Sequence, residues 1–172
     1  MKWHQLFMNA YERATQVLEQ ALEGLTLDDL NAQVRPDCNS IGWIAWHLTR
    51  VQDRAISDLS GEEQLWTQDR WHAKFNRPPD AKDTGFGHTS EDMAGLKSPD
   101  VPTLVAYHHA VAERSKQYLS SLSEADLDRE FNNPRSPTYG ARLVGVISDN
   151  LQHVGQVAYL HGVLKGKGWL DV

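Results

Sequence analysis

The chain has 172 residues, a formal net charge of −6 at pH 7 and a pI near 5.7. That length suits one domain over residues 1–172, able to bury about 70% of its unfolded surface without staples. The acidic balance leaves no basic surplus to displace counterions, so no nucleic acid partner is expected. Cys38 is the single cysteine, which excludes an intrachain disulfide framework and points to a reducing cytoplasm. The opening stretch MKWHQLFMNAYERATQ has no signal-peptide core, and no apolar run suffices to span a bilayer, so no membrane association is expected.

Helical periodicity dominates, and no strand of useful length is visible. Leu6, Ala10, Ala14, Val17, Ala21 and Leu25 recur at steps of three and four, predicting a first amphipathic helix. Thr26 and Asp29 then have the spacing of a capping box, with Asp in place of the usual Glu. After a connector from Val34 to Ser40, a second helix carries Ile44, His47, Leu48, Val51 and Ala55 on one stripe and ends near Gly61. From Glu62 to about Pro102 the pattern weakens. Trp66, Trp71 and Phe75 are spaced as on a short helix, and Pro78, Pro79, Gly85, Gly87, Gly95 and Pro99 punctuate the rest. A connector of such length inside a compact domain is often functional.

A third helix starts near Pro102, with Leu104, Val105, His108, Val111, Ala112, Ser115 and Leu119 on one face. Ser123 opens SEADL, and a Pro-containing loop follows from Asn132 to Gly140. The fourth helix runs from about Ala141 to Lys165, with Leu143, Ile147, Leu151, Val154, Ala158 and His161 along its apolar stripe; Gly166 and Gly168 end it. Each half of the chain contains Leu-Thr/Ser-x-x-Asp-Leu between a long helix and a Pro-containing loop. The echo predicts two αα-hairpins about a pseudo-twofold axis, with the second helix of each half near that axis.

On those two inner helices lie His47 and His153. Asp149, four residues before His153, shares its helix face. Imidazole and carboxylate donors on apolar helices are the material of a bundle metal site, and three ligands leave a coordination position open. Neither an HExxH motif nor the paired Glu-x-x-His pattern of di-iron bundles occurs, so a single ion is expected. The competing reading makes His47 and His153 hydrogen-bonded core histidines and Asp149 a local partner. His88, between Gly87 and a helix-start-like Thr89–Asp92 pair, is a candidate catalytic acid/base or fourth ligand; the competing reading, a simple loop histidine, is the stronger of the two. Gln156, three residues after His153, is a candidate assisting donor.

The remaining polar residues carry less. His108 reads as a partly buried helix histidine, His109 and His161 as surface or helix-end residues, His72 as part of the connector and His4 as terminal surface. Cys38 has only Arg35 as a basic neighbour, and neither a G-x-S-x-G elbow nor a Gly-rich phosphate loop is present. Trp43 and Trp46 read as core, with Trp46 also a candidate pocket wall.

The stretches NSIGWIAWHLTRVQD and DNLQHVGQVAYLHG, with LWTQDRW and DTGFGH between them, resemble the DinB/YfiT-like superfamily across nearly the whole chain. The resemblance implies an all-α, up-down-down-up four-helix bundle, commonly a homodimer, with a long connector between helices 2 and 3. It also implies a divalent ion, nickel or zinc, held by one histidine on the second helix and an H-x-x-x-H pair on the fourth. His47 and His153 match two of those ligands, and Asp149 stands where the first histidine of the pair is usual. Relatives with known activity include transferases that use low-molecular-weight thiols such as bacillithiol or mycothiol, and a mycothiol-dependent maleylpyruvate isomerase. The expected function is therefore a metal-dependent S-transferase acting on a small-molecule substrate. The alternatives are a metal-dependent hydrolase and a non-catalytic dimeric stress-response or ligand-binding module.

Overall fold

Local capping chemistry sets the element boundaries in the computed structural model, which describes residues 2–166. The expected helix stop at Gly168 lies outside the described residues. Helix α1 spans Trp3–Leu22. Thr26 caps α2 (Leu27–Asn31) through the expected box: the Asp29 N–H donates to Thr26 Oγ1, and the Thr26 N–H donates to Asp29 Oδ2. Ser40 caps α3 (Ile41–Ser60), which Gly61 closes at φ 77°. The connector contains α4 (Leu65–Gln68), α5 (Trp71–Lys74) and α6 (Ser90–Gly95), the last capped by Thr89 with Asp92. Asp100 caps α7 (Val101–Ser121), and a 3-10 turn follows at Glu124–Asp128. Helix α8 (Tyr139–Lys165) starts on Thr138 and stops at Gly166. Among the described residues, an isolated bridge between Glu130 and Thr138 is the nearest approach to a sheet.

Two layers of core define the helix directions. One layer gathers Leu18, Ala21, Ile44, Leu48, Val111 and Val157; the other gathers Tyr11, Ile56, Leu59, Leu119, Leu143 and Val146. Helices α1 and α8 run from the second layer to the first, and α3 and α7 run the opposite way, giving an up-down-down-up bundle. Both α7 and α8 pack on α1 and on α3, which places α1 and α3 on opposite corners. By the same packing α7 and α8 take the other two corners, so both expected hairpin pairings, α1 with α3 and α7 with α8, are corrected. The segment around α2 is long enough to carry the chain across the bundle, and α3 packs most heavily on α8. No helix of the described residues is long and apolar enough to cross a membrane.

Three further expectations change. Leu6 is 62% exposed, because the buried line of α1 runs through Tyr11, Ala14, Leu18, Ala21 and Leu22. Leu151 is 49% exposed, because α8 must face α1 and α3 together and buries Asn150, Val154 and Val157 instead. His161 is buried rather than terminal. Its Nδ1 donates to the Ala21 carbonyl at 2.9 Å, satisfying an acceptor in the last turn of α1.

Helix α3 is the structural centre, buried on nearly every face because the connector folds back over the side that α7 and α8 leave open. A charged network, fully enclosed, fastens that cover. Arg50 donates to the carbonyls of Asp80, Ala81 and Asp83, and Asp53 accepts the N–H groups of Leu65 and Trp66. Tyr107 on α7 donates its hydroxyl to Asp53 Oδ2 at 2.7 Å and accepts from Arg50. Trp66, Trp71 and Phe75 pack around the Tyr107 ring, and the Arg50 guanidinium lies 4.6 Å over Trp66. The connector is therefore an anchored wall of the molecule.

Candidate metal centre

Helices α3 and α8 bring His47, Asp149 and His153 together, with one donor atom from each lying within 4.8 Å of the others. The two imidazole centroids are 4.8 Å apart. Helical spacing aligns Asp149 with His153, and the antiparallel packing of α3 on α8 supplies His47.

Each imidazole is held by a main-chain carbonyl. His153 Nδ1 donates to the Asp149 carbonyl at 2.8 Å, one turn back along α8. His47 Nδ1 donates to the Thr84 carbonyl in the connector. Both rings thus carry their proton on Nδ1, and Nε2 keeps its lone pair, the arrangement that outer partners impose on ligating histidines. Burial holds the His47 pKa below its ordinary value, against the opposing pull of the Thr84 carbonyl and the Asp149 charge. A neutral imidazole is the form that binds a cation.

Asp149 supplies the second test of fit. Its Oδ1 lies 3.6 Å from His153 Nδ1, while Oδ2 is buried with no hydrogen-bond partner. An orphaned carboxylate oxygen costs free energy unless something positive meets it. Two free Nε2 atoms and one free carboxylate oxygen are a suitable donor set for a divalent transition ion.

The wall around His47 is tightly built. Trp43 stacks on the imidazole at 4.8 Å and 12°. Gly85 adopts φ +85°, and a Cβ there would lie 2.6 Å from Trp43, 2.9 Å from Trp46 and 3.2 Å from His47 Nδ1. Only glycine admits this approach. Asp83 fixes the loop by accepting from the Gly85 N–H at 3.1 Å and from Arg77 at 2.6 Å. Burial raises its pKa, but Arg77 and the Gly85 N–H outweigh that and hold the carboxyl below the usual range.

His88 lies beside this wall rather than in the donor set. Its Nδ1 accepts from Trp43 Nε1 at 3.1 Å, and its Nε2 donates to Asp83 Oδ1 at 3.0 Å. Gln156 is exposed on α8. Trp46 is fully buried with its ring against His88, forming wall rather than rim. Sequence reasoning missed Thr84, whose contribution is a carbonyl that every residue has, and Asp83; Gly85 was visible only as loop punctuation. A cleft of about 360 Å3 opens next to His47 and Asp149, between α3, α8 and the loop before α8.

The sequence matches the DinB superfamily over residues 10–157, a span containing all three donors. Among solved structures, the crystal structure of a conserved protein from Enterococcus faecalis superposes with a TM-score of 0.88 at 30% identity. That alignment covers 97% of this chain and 99% of the other. Comparison with curated proteins gives no match. With the family match running through the same helices that carry the donors, the chain belongs to the DinB superfamily.

Proposed function

We propose that the protein is a divalent-metal-dependent enzyme that activates a low-molecular-weight thiol for transfer to a small electrophile. The observation that carries this reading is the donor set: two imidazoles with Nδ1 committed to carbonyls, and a carboxylate whose Oδ2 is buried without a partner. Nickel or zinc suits such nitrogen and oxygen donors, and when bound would supply a positive charge that lowers the pKa of a coordinated thiol. His47 and His153 hold through Nε2, and Asp149 completes the set. Trp43 and Gly85 exclude water from one side of His47, and the cleft admits substrate from the other.

In this reading His88 has a positioning role. Both its ring nitrogens are engaged, and it ties Trp43 to Asp83, which shapes the loop carrying the Thr84 carbonyl. Gln156, three residues after His153, is exposed on α8 and free to meet a molecule from solvent. We place the protein in the cytoplasm, where a lone half-exposed Cys38 stays reduced. We also propose a homodimer through α8, on which exposed Leu151, Tyr159 and Val163 follow one stripe with Gly155 and Gly162.

The test is metal content followed by turnover. Protein dialysed against excess nickel or zinc should hold one equivalent by elemental analysis, and His47→Ala and His153→Ala should lose it. The loaded protein should consume an electrophile such as monochlorobimane only when a thiol is added. Turnover of an ester without thiol would favour the hydrolase reading, in which bound water is the nucleophile. Failure to take up metal from excess would overturn both. Light scattering in solution checks the dimer.

A further inference from the structure

Three arginines face the cleft beside the donor set with most of their hydrogen-bonding capacity unspent. Arg54 and Arg142 share a single carboxylate, Asp58, and neither closes on it: the separations are 3.9 and 3.6 Å. Arg142 Nε is buried and has no hydrogen-bond partner. Arg135, on the loop before α8, is exposed and makes no side-chain ion pair among the described residues. Arg50 shows the contrast, since its donors are distributed over Asp53, Tyr107 and three carbonyls.

A guanidinium presents five N–H donors, and withholding acceptors from a partly buried one is costly. The arrangement is therefore poised for an acceptor that arrives from outside. The cleft is also locally cationic in a chain of net charge −6, because its three arginines outnumber its two carboxylates, Asp58 and Asp149, even without a bound ion. Its remaining lining offers an apolar contact surface in Val51 and Val146, with Phe86, 82% exposed, at the rim. A volume of about 360 Å3 suits a small molecule.

We propose that this cleft binds a small organic anion, its carboxylate or phosphate oxygens held by Arg142, Arg135 and Arg54 and its apolar body against Val51, Val146 and Phe86. The other end of the molecule then faces His47 and Asp149. This deepens the metal-dependent reading by naming a substrate class; the anion recognition itself rests on the arginines and not on the ion. The guanidinium fork matches planar carboxylate and phosphate oxygens alike.

Calorimetric titration of metal-free protein with 3-phenylpropanoate, phenyl phosphate and the neutral 3-phenylpropanamide tests it without interference from direct metal ligation. At least one anion should bind about tenfold more tightly than the amide, corresponding to one charge-assisted contact. That preference should fall towards unity in Arg142→Gln and in Arg135→Gln, and weaken as ionic strength rises. Arg135 lies on an exposed loop, so its variant tests the proposal even where Arg142→Gln does not fold. The anion preferred identifies the headgroup. Equal binding of the amide, or a preference that survives Arg135→Gln and Arg142→Gln in natively folded protein, would overturn the proposal. Nickel content, measured separately, keeps the two readings apart. Anion preference without nickel uptake sinks the metal reading alone, and nickel uptake without anion preference sinks this one alone.

Discussion

His108 provides a measure of how strictly the bundle excludes charge. The ring is 2% exposed between α1, α3 and α7, with Thr15 Oγ1 at 2.9 Å from Nε2 and Thr49 Oγ1 at 3.1 Å from Nδ1. Thr49 already donates its hydroxyl hydrogen to the Ala45 carbonyl, so it accepts from Nδ1–H, and Thr15 donates to Nε2. The neutral ring is thus satisfied at both nitrogens. Burial, with a smaller contribution from the neighbouring His109, lowers the pKa from 6.5 to about 4. Above pH 6.5 the residue is neutral folded or unfolded and contributes no pH dependence. As pH falls through 6.5 the unfolded chain takes up a proton that the folded chain refuses, so stability declines until about pH 4 and then levels. At about 1.4 kcal/mol per pH unit the accumulated loss approaches ~3 kcal/mol. Urea unfolding of metal-free wild type and His108→Gln, followed by far-UV circular dichroism from about pH 8 to about pH 4, isolates this contribution. The variant should be less stable at pH 8 and should lose less on acidification, so that the two curves converge. Parallel curves would refute the reasoning, because a common slope would mean that His108 titrates alike in both states.

Other perturbations probe the site and its supports. Gly85→Ala should cost about 1–3 kcal/mol and weaken nickel binding at least about tenfold, since its Cβ meets Trp43 and His47 and its φ is positive; thermal melting and equilibrium dialysis report the two effects. Tyr107→Phe should destabilise by about 1–3 kcal/mol in urea, because Asp53 and Arg50 lose a partner inside the fold. Asp149→Ala should abolish stoichiometric nickel uptake yet leave metal-free stability unchanged or raised, as it removes a buried oxygen with no partner. A marked loss of metal-free stability in that variant would mean that Asp149 is a structural residue.

What was legible in the sequence was local. Capping boxes at Thr26 and Thr89 depend on residues three apart, and both formed as read. The Asp149–His153 pairing rests on one helical turn, and α7 buried the face its periodicity announced. The polar residues of α3 were not legible in this way. Arg50, Gln52 and Asp53 fall off the apolar stripe, so periodicity gives no sign of their burial, but the connector covers them and Asn150 and Ser115 close on Gln52. Such burial depends on contacts between distant segments, which no periodicity encodes. The long aperiodic stretch from Glu62 to Pro102 was visible as unusual, and its anchoring through Arg50 was not. His161 was misread for a related reason: its partner, the Ala21 carbonyl, is 140 residues away.

That a main-chain carbonyl holds His47 has a consequence for how this site tolerates change. The side chain at position 84 can vary without removing the acceptor, since every substitution retains the carbonyl. Insertion or deletion between Asp83 and His88 is another matter. It would change which peptide group meets Nδ1, and where an N–H replaced the carbonyl the imidazole would have to turn its lone pair inward. The ring nitrogen offered to the ion is thus set by loop length more than by loop spelling, and one added residue would damage the centre more than many point changes.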